Sequence, residues 1–229
     1  MKNYVIILAG GSGNRFQGDL PKQFSLLDSR PVLMHTISAY QNSTISPDII
    51  LVMNKNYFGY WDELCRQYNF RTPYIIVEGG KERFYSVKQG LNEIIDDGIV
   101  GIHDGVRPFV TDKLIIDAFL TAKNKGNAVP AVTAINTIRQ SLDSKSSIAL
   151  DRNTIHVVQN PQVFRVEEIR KAYKQLYDPL FTDDATVAEK YGININLIEG
   201  DRRNIKITHP LDLAIAHSIL EYNQKTSLA

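Results

Sequence analysis

The segment ILAGGSGNRFQGDLPKQF, residues 7–24, falls from an apolar run into a glycine-rich turn that carries Arg15 and then Lys22. The small residues Ala9, Gly10, Gly11 and Gly13 let backbone N–H groups come close to an anion. Arg15 can grip phosphate oxygens with its fork of donors, and Lys22 adds a second, compact charge. The segment is neither of the common phosphate loops. A dinucleotide fingerprint needs a third glycine where Phe16 stands, and a Walker loop needs Lys then Ser or Thr after Gly18, where Asp19 and Leu20 follow. The competing reading is a tight strand-to-helix turn with two solvated cations.

Four further clusters carry polar groups in suggestive places. In EGGKERFYSV (78–87), Gly79 and Gly80 precede Arg83 and Ser86. Ser86 is able to hydrogen-bond a base or ribose; an ordinary helix start with a surface arginine explains the segment equally well. In IHDGVRPFV (102–110), His103, Asp104 and Arg107 follow an apolar run. Asp104 at the carboxyl end of a strand suits a metal or a sugar hydroxyl, against a self-satisfied Asp–Arg turn. In LFTDDATVAEKYG (180–192), Thr182 reads as a helix cap with Asp183 and Asp184 in the first turn, a structural role that suffices for them. In EGDRRNIKITHPLDL (199–213), Lys206 interrupts a β-like run, as an inward cation or as a solvated edge residue. No Ser-His-Asp order, nucleophile elbow or Cys/His metal spacing is visible. Cations and backbone donors dominate, which suits electrostatic stabilisation of phosphates rather than covalent catalysis.

The elements that must position these groups alternate. Apolar runs at 4–9, 48–53, 73–78 and 98–103 read as strands; 31–40, 57–69, 81–95 and 111–123 read as helices, the last capped by Thr111. Such alternation predicts an α/β fold, Rossmann-like, with a mostly parallel sheet flanked by helices and its ligands beyond the carboxyl ends of the strands. Ala9, Glu78 and His103 would then share one rim. After about residue 127 the pattern changes to strands without helices, with a turn near 143–146, an antiparallel excursion that leaves the main body as an arm. Helices resume at 166–177 and 183–191, strands at 194–200 and 204–208, and a last helix at about 209–222.

With 229 residues, no Pro/Gly/Ser-rich linker and no repeat, the chain reads as a single domain, residues 1–229, with the arm inserted at about 133–158. Lys plus Arg number 26 against 25 Asp plus Glu, so no basic field points to nucleic acid. No stretch approaches membrane-spanning length, the N-terminus has no secretory signal, and the single cysteine, Cys65, reads as a buried thiol in a helix; the expected compartment is the cytoplasm.

ILAGGSGNRF…LPKQF, GGKERFYSV, HDGVRPFV, TDDA and EGDRRNIKIT.P.DL, in this order and spacing, resemble the 2-C-methyl-D-erythritol 4-phosphate cytidylyltransferase family over essentially the whole chain. The resemblance implies a Rossmann-like homodimer whose β-arms clasp the neighbouring subunit. It implies an enzyme that joins CTP to methylerythritol phosphate with Mg²⁺, releasing pyrophosphate, by in-line attack of the acceptor phosphate on the α-phosphate. Ala9, Gly10 and Gly11 would hold the nucleotide, and Ser86 with Gly79 and Gly80 would read cytosine. Arg15 and Lys22 would bind the triphosphate, Asp104 and Arg107 the sugar phosphate, and Lys206 the reacting phosphates. Thr182 would line the acceptor pocket, and Thr137 and Arg152 would come from the partner's arm. A protein ligand to the metal is not implied beyond Asp104. Two departures stand out: Gly105 and Val106 replace two alanines, and Asn160 stands where the family has Thr in Thr-Pro-Gln. Ribitol-5-phosphate cytidylyltransferases share most of these motifs, so ribitol 5-phosphate is the alternative acceptor. A sugar-1-phosphate nucleotidyltransferase using another NTP, and a nucleotide-binding regulatory module without turnover, are the remaining alternatives.

Overall fold

A computed structural model describes residues 1–11, 20–143 and 145–227. In chain order these form β1 (Lys2–Ala9), β2 (Leu26–Leu27), β3 (Arg30–Pro31), α1 (Val32–Gln41), β4 (Asp48–Met53), α2 (Phe58–Gln67), β5 (Ile75–Glu78) and α3 (Arg83–Asn92). There follow β6 (Gly98–Asp104), α4 (Asp112–Lys125), β7 (Asn127–Thr133), β8 (Ile138–Ser141), β9 (Ser147–Leu150), β10 (His156–Val158) and β11 (Gln162–Arg165). The chain closes with α5 (Val166–Ala172), α6 (Asp184–Lys190), β12 (Leu197–Glu199) and α7 (Pro210–Ser227).

Among the described residues, eight strands make one sheet in the order β10, β7, β11, β6, β1, β4, β5, with β12 beside β7. β5, β4, β1 and β6 run parallel, and β11 enters antiparallel between β6 and β7. The strands of such a sheet are covered on both faces, which is why they read as unbroken apolar runs. Alternation sorts their side chains. Val5, Ile7 and Ala9 of β1 join Leu33, Met34 and Ile37 of α1, Trp61 of α2 and Phe119 of α4. Tyr4 and Ile6 join Phe84 and Val87 of α3, Ile169 of α5 and Val187 of α6 on the other face.

Register builds the rim. Ala9 lies opposite Met53, Met53 opposite Glu78, Leu8 opposite Asp104, and Ile102 opposite Gln162 at the start of β11. The carboxyl ends of β1, β4, β5 and β6 therefore finish together. β8 and β9 pair with each other and not with the main sheet.

Several boundaries differ from the sequence expectation. Residues 204–208 are not a strand: the segment pairs with no strand, and its tie is to a loop, through the Ile207 N–H to the Val106 carbonyl at 2.9 Å. The cap of α6 is Asp183, not Thr182: its carboxylate accepts from the Thr186 N–H at 2.9 Å while the Thr186 hydroxyl accepts from the Asp183 N–H at 3.2 Å. α5 stops at Ala172, because the chain turns at Lys174 toward α6 instead of continuing the helix to 177. Cys65 is half-buried rather than buried, 3.5 Å from the Tyr74 hydroxyl. Thr111 caps α4 as expected, accepting from the Leu114 N–H at 3.2 Å.

The pair Gly105–Val106 has a packing reason. The Gly105 N–H donates to the Leu8 carbonyl at 2.8 Å, and a Cβ there would sit 2.9 Å from Leu33 Cδ1 and 3.0 Å from Leu8 O. Val106 supplies the bulk next door, buried with Leu27, Val32, Phe109 and Ile207. Gly105→Ala is expected to destabilise the protein by about 1–3 kcal/mol, seen as a lower urea midpoint at unchanged slope. A midpoint at or above that of the unmodified protein would show that Leu33 gives way without cost.

Candidate active site

Asp104 ends β6 and is the hub of the rim. Lys206 Nζ lies 2.9 Å from its Oδ2, Arg107 Nε 3.5 Å from Oδ2, and Arg83 Nε 3.9 Å from Oδ1. Burial by itself would raise the pKa of this carboxyl, but the charges of Lys206, Arg83 and Arg107 outweigh it and hold the group far below the usual carboxylate range. His103, one residue earlier, is fully buried, and burial pushes its pKa down to about 4. The imidazole is therefore neutral at pH 7, and its Nε2 stands 3.0 Å from the Arg107 carbonyl oxygen, where it braces the turn.

Two scaffolds hold the cations, one shared by Arg107 and Lys206 and one for Arg83. Arg107 Nη1 donates to the Asn204 carbonyl at 2.9 Å, and Asn204 Nδ2 donates to the Asn160 carbonyl at 2.6 Å. Gln159 closes the same loop, donating to the Asp201 carbonyl and accepting from the Asp201 N–H. These bonds set the segment that presents Lys206, which lies on no edge strand and, though its side chain stays partly exposed, reaches Asp104 at the cleft. Arg83 opens α3 and makes a two-pronged pair with Asp184 at 2.8 and 2.6 Å. Its burial opposes the charge, yet the Asp184 carboxylate wins and raises its pKa further. Gln162 accepts from the Ala185 N–H and donates to Asp183 Oδ2, each at 2.8 Å, which ties β11 to α6. Between these groups opens a cleft of about 170 Å³, lined by Arg83, Asp104, Arg107, Thr182, Asp183 and Lys206 and floored by the β10–β11 junction.

The glycine turns form the adjoining wing. The Ser86 hydroxyl is buried and accepts from the Gly80 N–H at 3.1 Å. A methyl group on Gly79 would lie 3.1 Å from that hydroxyl, one on Gly10 3.8 Å away, and one on Gly80 only 2.3 Å from Tyr85 Cβ. Ser86, Gly79, Gly80 and Gly10 thus converge on one small space, reached by bare backbone. Lys22 begins a short 3-10 turn, Lys22–Phe24, whose other residues anchor it. Gln23 is buried and donates to the Ala9 carbonyl at 2.8 Å, while Phe24 packs edge-on against Tyr60 at 5.2 Å. Lys22 is thereby carried beside the Ala9–Gly11 turn.

Of the residues singled out from the sequence, the structure gathers Asp104, Arg107, Thr182 and Lys206 in the cleft, with Ala9, Gly10, Gly11, Lys22, Gly79, Gly80 and Ser86 along the same rim. Gly13 and Arg15 lie outside the described residues. Thr137 and Arg152 are exposed, on the chain running to and from the β8–β9 hairpin, and do not line the cleft; Arg152 Nη1 donates to the Ile135 carbonyl at 3.1 Å. Sequence reading missed Gln23 and Gln162 outright, and it gave Arg83 and Asp184 purely local roles. A glutamine wedged between Pro-Lys and Phe is a faint signal; the Arg83–Asp184 pair has none, because its members are 101 positions apart.

Comparison with known proteins gives a consistent answer. The profile of the family described as 2-C-methyl-D-erythritol 4-phosphate cytidylyltransferase (IspD) matches residues 3–222. The chain is 43% identical over 220 residues to the protein of that name from Bacteroides thetaiotaomicron, covering 96% of this chain and 100% of that one. It is 42% identical over 220 residues to the Porphyromonas gingivalis protein of the same name, covering 96% and 98%. Among solved structures, the Francisella tularensis 2-C-methyl-D-erythritol 4-phosphate cytidylyltransferase superposes with a TM-score of 0.78 at 30% identity, covering 96% of this chain and 100% of that one. The structure of 4-diphosphocytidyl-2C-methyl-D-erythritol synthase from Anaerococcus prevotii superposes at 0.83 over 96% of each chain, and at 24% identity it shares the fold.

Proposed function

The chain belongs to the 2-C-methyl-D-erythritol 4-phosphate cytidylyltransferase family, and from that membership we propose how its residues divide the work. The enzyme joins CTP and 2-C-methyl-D-erythritol 4-phosphate to give 4-diphosphocytidyl-2-C-methyl-D-erythritol and pyrophosphate. In our reading an oxygen of the acceptor phosphate attacks the α-phosphorus in line. A new P–O bond forms as the bond to the β-phosphate oxygen breaks, and pyrophosphate carries the electron pair away. The attacking phosphate is already an anion, so no general base is needed. The barrier is the approach of two anions and the charge that builds on the transferring phosphoryl group.

The observation that carries this reading is the Asp104 hub, with Lys206, Arg107 and Arg83 around one carboxylate on the rim that also holds the Ala9–Gly11 turn. Ala9, Gly10, Gly11 and Gly13 hold the nucleotide through backbone groups, and Ser86 with Gly79 and Gly80 reads the cytosine edge. Arg15 and Lys22 take the triphosphate, Lys206 the reacting phosphates, Asp104 and Arg107 the sugar phosphate, and Thr182 an acceptor hydroxyl. Thr137 and Arg152 complete the site from the arm of a second subunit, so the working form is a homodimer. The hairpin region exposes Ile135, Leu142 and Ile148, apolar surface that a partner would cover. The remainder is one nucleotidyltransferase domain, with the arm inserted at about 133–158.

No group of three or more metal-ligating side chains exists among the described residues, and Asp104 is a single hard carboxylate at the edge of the phosphate site. That donor set would fit Mg²⁺ held mainly by substrate oxygens, with Asp104 as the protein ligand among the described residues. When bound, the ion supplies charge neutralisation to the phosphate oxygens. No helix among the described residues is long and apolar enough to cross a membrane. The phosphorylated, water-soluble substrates favour a cytoplasmic enzyme, and no nucleic-acid partner is invoked.

Pyrophosphate release tests the substrate assignment. Release is expected with CTP and methylerythritol phosphate, and not when UTP, GTP or dTTP replaces CTP or when ribitol 5-phosphate replaces the acceptor. Comparable release with ribitol 5-phosphate would overturn the acceptor assignment, and CTP binding without release under any condition would overturn catalysis itself.

A further inference from the structure

Arg83 opens α3, Asp184 opens α6, and the two meet fork to fork, Nη1 to Oδ1 at 2.8 Å and Nη2 to Oδ2 at 2.6 Å. The Tyr173 hydroxyl donates to the same Oδ1 at 2.6 Å. Asp184 has no solvent exposure, so its charge is fully committed to these two partners. Capping does not explain it, because Asp183 caps α6. Stability explains it poorly, because the desolvation of a buried ion pair consumes most of its attraction.

The third guanidinium nitrogen of Arg83 supplies a use. Nε is turned to the cleft, 3.9 Å from Asp104 Oδ1, while Lys206 holds Oδ2 at 2.9 Å. The two cations are anchored very differently. The Lys206 side chain is 43% exposed and meets Asp104 at one point. Arg107 is tied to the Asn204 carbonyl, on the segment that carries Lys206, so a shift of that segment moves both. Arg83 alone is tied elsewhere, to a buried carboxylate on α6.

We infer that Arg83 is a positioning residue: braced by Asp184 and Tyr173, it keeps the Asp104 carboxylate in place when Lys206 exchanges that carboxylate for the phosphates of the substrates. The inference rests on the assignment of Asp104 and Lys206 proposed above. Misplacement of a reacting group by an ångström costs on the order of 10²-fold, so the carboxylate's orientation matters.

The test uses the full-length enzyme and compares kcat and KM across Asp184→Asn, Arg83→Lys and Tyr173→Phe, each also made on an Asp104→Asn background. Asp184→Asn keeps size and one acceptor, Arg83→Lys keeps charge and loses the fork, and Tyr173→Phe removes one hydroxyl. Asp184→Asn and Arg83→Lys are expected to lose roughly 10–100-fold in kcat, and Tyr173→Phe roughly 3–10-fold, with KM for CTP changed by less than about 3-fold. On the Asp104→Asn background the same changes are expected to cost less than about 3-fold, since the residue acted upon is gone. Wild-type kcat in folded Asp184→Asn enzyme would overturn the inference, as would an undiminished loss on the Asp104→Asn background. If Asp184→Asn does not fold, the Tyr173→Phe pair decides by the same criterion. Near-normal turnover of Asp104→Asn alone would instead refute the underlying assignment of Asp104.

Discussion

Lys206→Ala is expected to lower kcat by about 10²–10³-fold, the effect of about 2.7–4 kcal/mol that follows loss of one preorganised charge donor at a transition state. The ammonium stands 2.9 Å from Asp104 at the mouth of the cleft, on a loop sewn down by Asn204 and Gln159. The ammonium already stands at the cleft mouth, so it reaches the phosphates by exchanging one carboxylate contact rather than by refolding its loop. The fold should survive, because Asp104 keeps Arg107 at 3.5 Å and Arg83 at 3.9 Å as partners. Single-turnover pyrophosphate release at saturating CTP and acceptor measures the loss, with thermal melting as the check on folding. Arg15→Ala and Lys22→Ala are expected to fall on the same scale. Turnover within about 3-fold of the unmodified enzyme in a folded Lys206→Ala protein would remove Lys206 from the chemistry.

Mixing inactive subunits is expected to restore activity. Arg152 sits on the arm and Lys206 on the body, and Arg152 does not reach the cleft of its own chain. If Arg152 serves the neighbouring site, an Arg152→Ala subunit paired with a Lys206→Ala subunit contains one site with both residues intact and one with neither. Random pairing of equal amounts makes about half the dimers mixed, and half their sites intact, so recovery should approach about a quarter of the unmodified rate from two nearly inactive parents. Separately tagged subunits and tandem purification raise this to about half. Purified mixed dimers that stay as inactive as their parents would show that the arm serves its own chain.

Much of this architecture was legible locally. The strands β1, β4 and β6 are unbroken apolar runs because both their faces are covered, and Thr111 announces α4 through a hydrogen bond only three residues long. Where the local signal was shared by two structures, the reading slipped. Asn204–Thr208 alternates like a strand, with Ile205 and Ile207 its apolar members, yet Ile207 bonds to the Val106 carbonyl and Asn204 to the Asn160 carbonyl, so no ladder forms. Thr182 and Asp183 are both good caps, and the reach of the Asp183 carboxylate to Thr186 decided between them.

The sequence by itself determined the chemical inventory: a bare-backbone turn after the first strand, a carboxylate at the end of β6, and cations without a nucleophile. It also determined the parallel sheet, because strand and helix periods are properties of a few consecutive residues. Tertiary structure decided which charges meet. Lys206 met Asp104 because Arg107 and Asn160 hold its loop, and Arg83 acquired Asp184 from 101 positions away. Ion pairs are set by where register and helix packing bring side-chain ends in three dimensions, and no local period encodes that distance.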